Sequence, residues 1–152
     1  IDQISDGTTV YDHPETAFVA SFVGENNFFP GKVSKIVEGI ASVETKSGLL
    51  QARVSTASPV SSGDEAIVFV RPESIRFSNG EASSNYLEAT VTHQEFEGHF
   101  WHLVLQTDSG SRIRMSVMND GDSETQAVGS RISLSFIAQA AVVLAKGELA
   151  AE

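Results

Sequence analysis

The chain has 152 residues, of which 41% are hydrophobic, enough for one domain of ordinary size or for two very small barrels that share an interface. Twenty acidic residues stand against 10 basic ones, and the resulting formal charge of −10 repels polyanions and disfavours nucleic acid as a partner. The absence of cysteine excludes disulfides, thiolate metal sites and a cysteine nucleophile.

The N-terminus, Ile-Asp-Gln-Ile-Ser-Asp-Gly, has neither a basic start nor an apolar run of the kind a secretory signal needs. An opening on Ile1 instead of Met reads as a cut or processed end, with parts of a longer protein to its left. From Pro14 to Val23, Phe18, Val19, Phe22 and Val23 recur at helical spacing, with Pro14 suited to a first turn and Gly24 to a C-terminal cap. The spacing predicts one short helix there, after a turn at Asp6 to Thr9, with Val10 and Tyr11 closing a single helical turn.

After Gly24 the periodicity changes to two. Strands are expected near Phe29 to Val37, Ile40 to Thr45, Leu49 to Val54, Ala66 to Val70, Leu87 to Phe96, His99 to Thr107, Arg112 to Met118, Arg131 to Phe136 and Ala141 to Leu144. Alternation puts Trp101, Leu103 and Leu105 on one face, as it does Ile113, Met115 and Val117, and Ile132, Leu134 and Phe136. Glu38-Gly39, Lys46-Ser47-Gly48 and Asp108-Ser109-Gly110 are hairpin turns, and many short antiparallel strands joined in this way suggest a closed or nearly closed barrel. Thr56 to Gly63, Ser78 to Asn85 and Asn119 to Ala127 read as loops, the second dividing two strand groups. The longest apolar run, Ala138 to Ala145 interrupted by Gln139, is far short of the roughly 20 residues needed to span a bilayer, so a soluble chain is expected.

Chemistry is sparse. His93, His99 and His102 with Glu95 and Glu97 carry zinc-ligand chemistry. The odd spacing of His99 and His102 places them on opposite faces of a strand, and His93 lies across a turn at Glu97-Gly98, so they read as solvated residues and no metal is expected. No carboxylate pair has neighbours that would raise one pKa selectively, no serine sits in a G-x-S-x-G elbow, and no phosphate-binding glycine loop occurs. In Val68-Phe69-Val70-Arg71-Pro72-Glu73-Ser74-Ile75-Arg76-Phe77, proline interrupts a strand that resumes at Ile75. A kinked strand is expected, with Arg71 and Glu73 forming a structural ion pair around the kink.

Two stretches carry a resemblance. Ile1, Gln3, Tyr11, Pro14, Phe18, Val19, Ala20, Phe22, Gly24 and Asn27, with Val10 and Val23 at aliphatic positions, match the pattern I-x-Q-x-G-x-P-x-E-[IL]-Y-x-x-P-x-x-x-F-V-A-x-F-[IL]-G-x-x-N. That pattern resembles the point where the nucleotide-binding domain of an ATP-binding cassette import ATPase ends; Ser5, Gly7 and Thr9 depart from it where the family has Gly, Pro and Glu. Val70 to Arg76 resembles the V-R-P-E-x-I-R of the transport-associated OB-like domain of the same ATPases, and Ser135-Phe136 through Ala141 to Leu144 resembles its closing strand.

The resemblance implies an all-β, OB-fold-like barrel over 25–152, in one or two strand groups divided near 78–85, behind a linker helix that ends the nucleotide domain at 1–24. It implies a regulatory and dimerisation domain of an importer of spermidine/putrescine or a related small solute, most similar to polyamine ATPases and then to those for iron(III) and sulfate or maltose. The implied partners are a second copy of the ATPase subunit and the transmembrane permease, at the cytoplasmic side of the inner membrane. Tyr11, Pro14, Phe18, Gly24, Asn27, Arg71, Pro72 and Glu73 would be structural or interface residues. Catalytic motifs, ATP and Mg would belong to sequence upstream of Ile1, so this stretch needs no cofactor and should not hydrolyse ATP. The alternative is a module sensing an oxyanion or small solute, its charge supplied by Arg71, Arg76, Arg112 and Arg114.

Overall fold

A computed structural model describes residues 27–56, 59–78, 83–118 and 127–146. The helix expected over Pro14 to Val23 lies outside the described residues, as do Tyr11, Pro14, Phe18 and Gly24. Ten strands follow in chain order: β1 (Asn27–Val37), β2 (Ile40–Thr45), β3 (Gly48–Val54), β4 (Glu65–Val70), β5 (Arg76–Phe77), β6 (Asn85–Glu97), β7 (Phe100–Thr107), β8 (Arg112–Met118), β9 (Arg131–Phe136) and β10 (Ala141–Ala145). Nine of these were expected from period-two alternation, with bounds that agree within two residues at each end.

The strands form a closed barrel in the order β1-β2-β3-β10-β4 and a five-stranded sheet in the order β5-β9-β6-β7-β8. Both are OB-fold-like. Pairing is antiparallel throughout except between β3 and β10, which run parallel through Arg53–Val142 and Val54–Val143. The turn at Glu38-Gly39 explains the first hairpin: both residues have positive φ, 51° and 80°, the geometry of a two-residue turn that matches strand twist.

The chain is built twice. β1 to β4 and β6 to β9 pair in the same pattern, and each set ends in a single 3-10 turn, Pro72–Ser74 or Ala138–Ala140, followed by a short strand. The correspondence extends to individual hydrogen bonds. Val33 donates to the Asp64 carbonyl and accepts from Gly63; Val91 donates to the Ser130 carbonyl and accepts from Gly129. β1 shifts register between Val33 and Lys35, and β6 does so between Val91 and His93.

The repeats exchange their last strands. β5 follows the first repeat but pairs with β9, and β10 follows the second but closes the first barrel between β3 and β4. The segment at Arg71 to Phe77 is therefore not a kinked strand. Pro72 cannot donate to a ladder, so the chain leaves β4 there, makes a 3-10 turn closed by the Ser74 N–H on the Arg71 carbonyl, and crosses to the other sheet.

The buried residues of both lobes form one continuous core, with Phe29, Val43, Leu50 and Val68 from the barrel and Leu87, Leu105, Ile113 and Phe136 from the second sheet. The inward faces expected for β7, β8 and β9 hold: Leu103, Leu105, Ile113, Met115, Leu134 and Phe136 are buried, and Trp101, Val117 and Ile132 are partly so.

Candidate functional site at the junction of the lobes

Two buried asparagines join the lobes. Asn27, 4% exposed at the start of β1, accepts from the Arg114 N–H at 2.6 Å and donates to the Arg114 carbonyl at 2.8 Å. Asn85, 1% exposed at the start of β6, accepts from the Gln51 N–H at 2.6 Å and donates to the Gln51 carbonyl at 2.9 Å. A carboxamide has one acceptor and one donor end, so it serves a strand edge as a neighbouring peptide unit would. Each asparagine opens one repeat and serves the third strand of the other. The prominence of Asn27 in the sequence thus rests on a position that packs two lobes; Asn85 carries the same role, and the signal that could have found it is the parallel between Asn27-Phe28-Phe29 and Asn85-Tyr86-Leu87.

Beside this seam the equivalent turns Thr45 to Gly48 and Thr107 to Gly110 face each other. They line a cleft of about 480 Å³ with Lys46, Ser47, Leu87, Glu88, Thr107, Asp108, Ser109 and Arg131. The Ser47 hydroxyl lies 3.4 Å from those of Ser109 and Ser111, and Thr107 Oγ1 accepts from the Ser111 N–H at 3.0 Å.

Arg131 holds Asp108 with two bonds of 2.7 and 2.9 Å and Glu88 with one of 3.1 Å. Its hydrogen bonds and charge hold the Asp108 carboxyl below the usual range, and Asp108 and then Glu88 push the guanidinium pKa upward. The cation is thus neutralised where it stands. With two carboxylates on the same wall, the cleft is a polar seam between lobes and offers no paired acid and base, nor a hydroxyl activated by one.

The crossover residues stand apart from this cleft. Arg71 and Glu73 are exposed and form no ion pair with each other, because the turn at Pro72–Ser74 projects both side chains outward to solvent. The 3-10 turn itself packs against β8. Arg112 and Arg114 alternate with buried Ile113 and Met115 on the outer face of β8, and Arg76 is exposed on β5. None of these four arginines makes an ion pair among the described residues.

No cluster of three or more His, Asp or Glu residues that could hold a metal ion occurs among the described residues. His102 Nδ1 lies 3.1 Å from the Ser116 hydroxyl and its Nε2 lies 3.2 Å from Glu97, while His93 and His99 are exposed.

A duplicated β unit, one copy closed into a barrel and the other an open sheet, with exchanged last strands and joined through backbone-like asparagines, is an OB-type architecture. The TOBE domain family matches residues 68–144, half of the chain, and the chain belongs to that family.

Curated relatives include the spermidine/putrescine import ATP-binding proteins PotA of Rubrobacter xylanophilus, 28% identical over 145 residues, and of Ruegeria pomeroyi, 30% identical over 145 residues. Each alignment covers 95% of this chain and 38% of the relative, so the chain spans well under half the length of those proteins. Among solved structures, the cytoplasmic molybdate-binding protein ModG with molybdate bound shares the fold at a TM-score of 0.71 and 21% identity, over 80% of this chain and 97% of that one. No helix among the described residues is long and apolar enough to cross a membrane.

Proposed function

We propose that this chain is the regulatory domain of the ATP-binding subunit of an ATP-binding cassette importer for polyamine or a related small solute. The observation that carries the reading is the alignment of 95% of the chain with PotA proteins, within which the TOBE match falls. On this reading ATP, Mg and the catalytic motifs belong to a nucleotide-binding domain joined to the N-terminal side, and the described lobes act on it without chemistry of their own. Its partners are a second copy of the subunit and the transmembrane permease, on the cytoplasmic side of the inner membrane. Residues 1–24 then end the nucleotide domain, and Arg71, Pro72 and Glu73 belong to the surface where copies meet.

The test compares ATP hydrolysis and polyamine uptake by an importer carrying its whole ATP-binding subunit, with this domain intact or deleted. Regulated uptake that is lost or uncoupled from hydrolysis on deletion supports the reading; transport and hydrolysis unchanged by deletion sink it.

A second reading, a module that senses an oxyanion, is favoured by the four exposed arginines around β5, β8 and the crossover, which form no ion pair among the described residues. The molybdate bound by the fold neighbour ModG adds to it. Calorimetry of the chain with molybdate and sulfate decides: saturable heat that disappears in Arg71→Gln/Arg114→Gln supports it, and no heat removes it.

A further inference from the structure

The two repeats differ in the length of one hairpin. In the first, Val37 pairs with Ile40 around the turn Glu38-Gly39. The equivalent pair in the second is Glu95 with His102, but there the ladder continues through Phe96 with Trp101 and Glu97 with Phe100 before turning at Gly98-His99. The second hairpin is therefore extended by two residue pairs, and three of those four residues are aromatic.

The extension is exposed. Phe96 is 49% and Phe100 39% accessible, and Met118, paired with Phe100 on β8, is 59% accessible. Register assigns the faces. Phe96, Trp101 and Val117 continue the core face beyond the buried Leu103 and Met115, with the rings of Phe96 and Trp101 4.9 Å apart. Glu95, Glu97, Phe100, His102 and Met118 share the outer face, where Phe100 stacks on His102. Gln94 occupies the place that Ile36 holds in the first repeat, and its Oε1 is buried without a hydrogen-bond partner among the described residues. A buried acceptor left open costs stability, as do half-exposed aromatics, unless something covers them.

We propose that this extended hairpin tip is a docking site for a basic, apolar-edged segment of another protein. On the outer face, its apolar side chains lie on Phe100 and Met118 and its Lys or Arg groups meet Glu95 and Glu97. Charge complementarity selects this occupant. Neither Glu95 nor Glu97 is paired with a lysine or arginine among the described residues, and the chain carries −10 overall. A second copy docked tip to tip would set these carboxylates against their own equivalents, whereas a cationic segment gains from both the acids and the ring faces. The proposal stands independently of the importer reading.

Trp101 is the chain's single tryptophan, so its emission reports on the tip alone. The intact chain is titrated with a synthetic amphipathic Lys/Leu peptide and with the same peptide bearing Glu for Lys. The expected result is a saturable change in Trp101 emission with the Lys/Leu peptide only. Binding weakens about tenfold or more in Glu95→Gln/Glu97→Gln and in Phe100→Ser, while Glu38→Gln/Glu44→Gln, with the same net charge, binds as the parent does. Absence of a saturable signal overturns the proposal, as does equal weakening by the two glutamate pairs, which marks attraction to the whole acidic chain. Emission that depends on protein concentration without peptide also overturns it, in favour of a second copy on the tip.

Discussion

Asn27 completes the edge of β8 at Arg114, and Asn85 completes that of β3 at Gln51, ahead of the pairs β3 makes with β10. Alanine at either place removes the partners of one backbone N–H and one carbonyl at a packed junction, each costing about 1–3 kcal/mol if left open. Urea denaturation of Asn27→Ala and Asn85→Ala should therefore show a loss of about 2–4 kcal/mol in each. A loss under about 0.5 kcal/mol, the level of an ordinary surface change, would show that the strand edges find other partners. Gly31 presents a different constraint. A methyl group there would collide with the Glu44 carbonyl and with Val43 and Thr45 across the β1–β2 pair. Its equivalent, Ala89, carries that methyl and is fully buried. Gly31→Ala should destabilise by about 1–3 kcal/mol through overpacking, measured in the same way, although its φ is unremarkable for a strand.

At the scale of elements, the turns and ladders were the legible part. Alternation marked nine strands, and the glycines of three hairpins marked where pairing reverses, because both signals act between residues close in sequence. The exchange of β5 and β10 was not legible, since nothing local to Arg76 or Val142 says which of two similar sheets supplies its neighbour. The expected ion pair of Arg71 with Glu73 failed for a related reason: their spacing was visible, whereas the 3-10 turn that turns both outward is set by a crossover between lobes.

Glu38 offers a test of turn chemistry. With φ at 51° it occupies a conformation that asparagine adopts more readily, so Glu38→Asn should stabilise the chain by about 0.5–1 kcal/mol, read as a higher urea midpoint at unchanged slope.

The ion pairs between elements set a pH dependence. Arg131 lowers the Asp108 pKa, and Lys146 lowers that of Glu65, linking the end of β10 to the start of β4. A depressed carboxylate contributes stability above its unfolded pKa, about 4, and loses it as the pH falls through the lower folded value. Arg131→Met should therefore differ from the parent at pH 6 and converge with it as the pH falls through the lowered folded value of Asp108. A gap that persists in acid would assign the effect to packing of the arginine stem, since the carboxylates would no longer carry charge.

Over the whole molecule, the exchange makes the two repeats one folding unit. β10 is supplied by the second repeat yet fills the wall of the first barrel, where Ala141, Val142, Val143 and Leu144 are all buried. Removing the three larger side chains forfeits roughly 1.5–3 kcal/mol apiece, and it opens the β3 and β4 edges as well. That loss approaches the whole stability of about 5–15 kcal/mol expected for a domain of this size. If the lobes were independent, deletion of residues 141–146 would unfold the barrel and spare the second sheet. The continuous core and the paired asparagines argue for joint unfolding. Trp101 separates the outcomes because it stands on β7 of the second sheet, away from the deletion. Near-UV circular dichroism of the deleted chain should lose the Trp101 signal together with the far-UV strand signal, and a native-like Trp101 band on a partly unfolded chain would show that the second sheet folds alone.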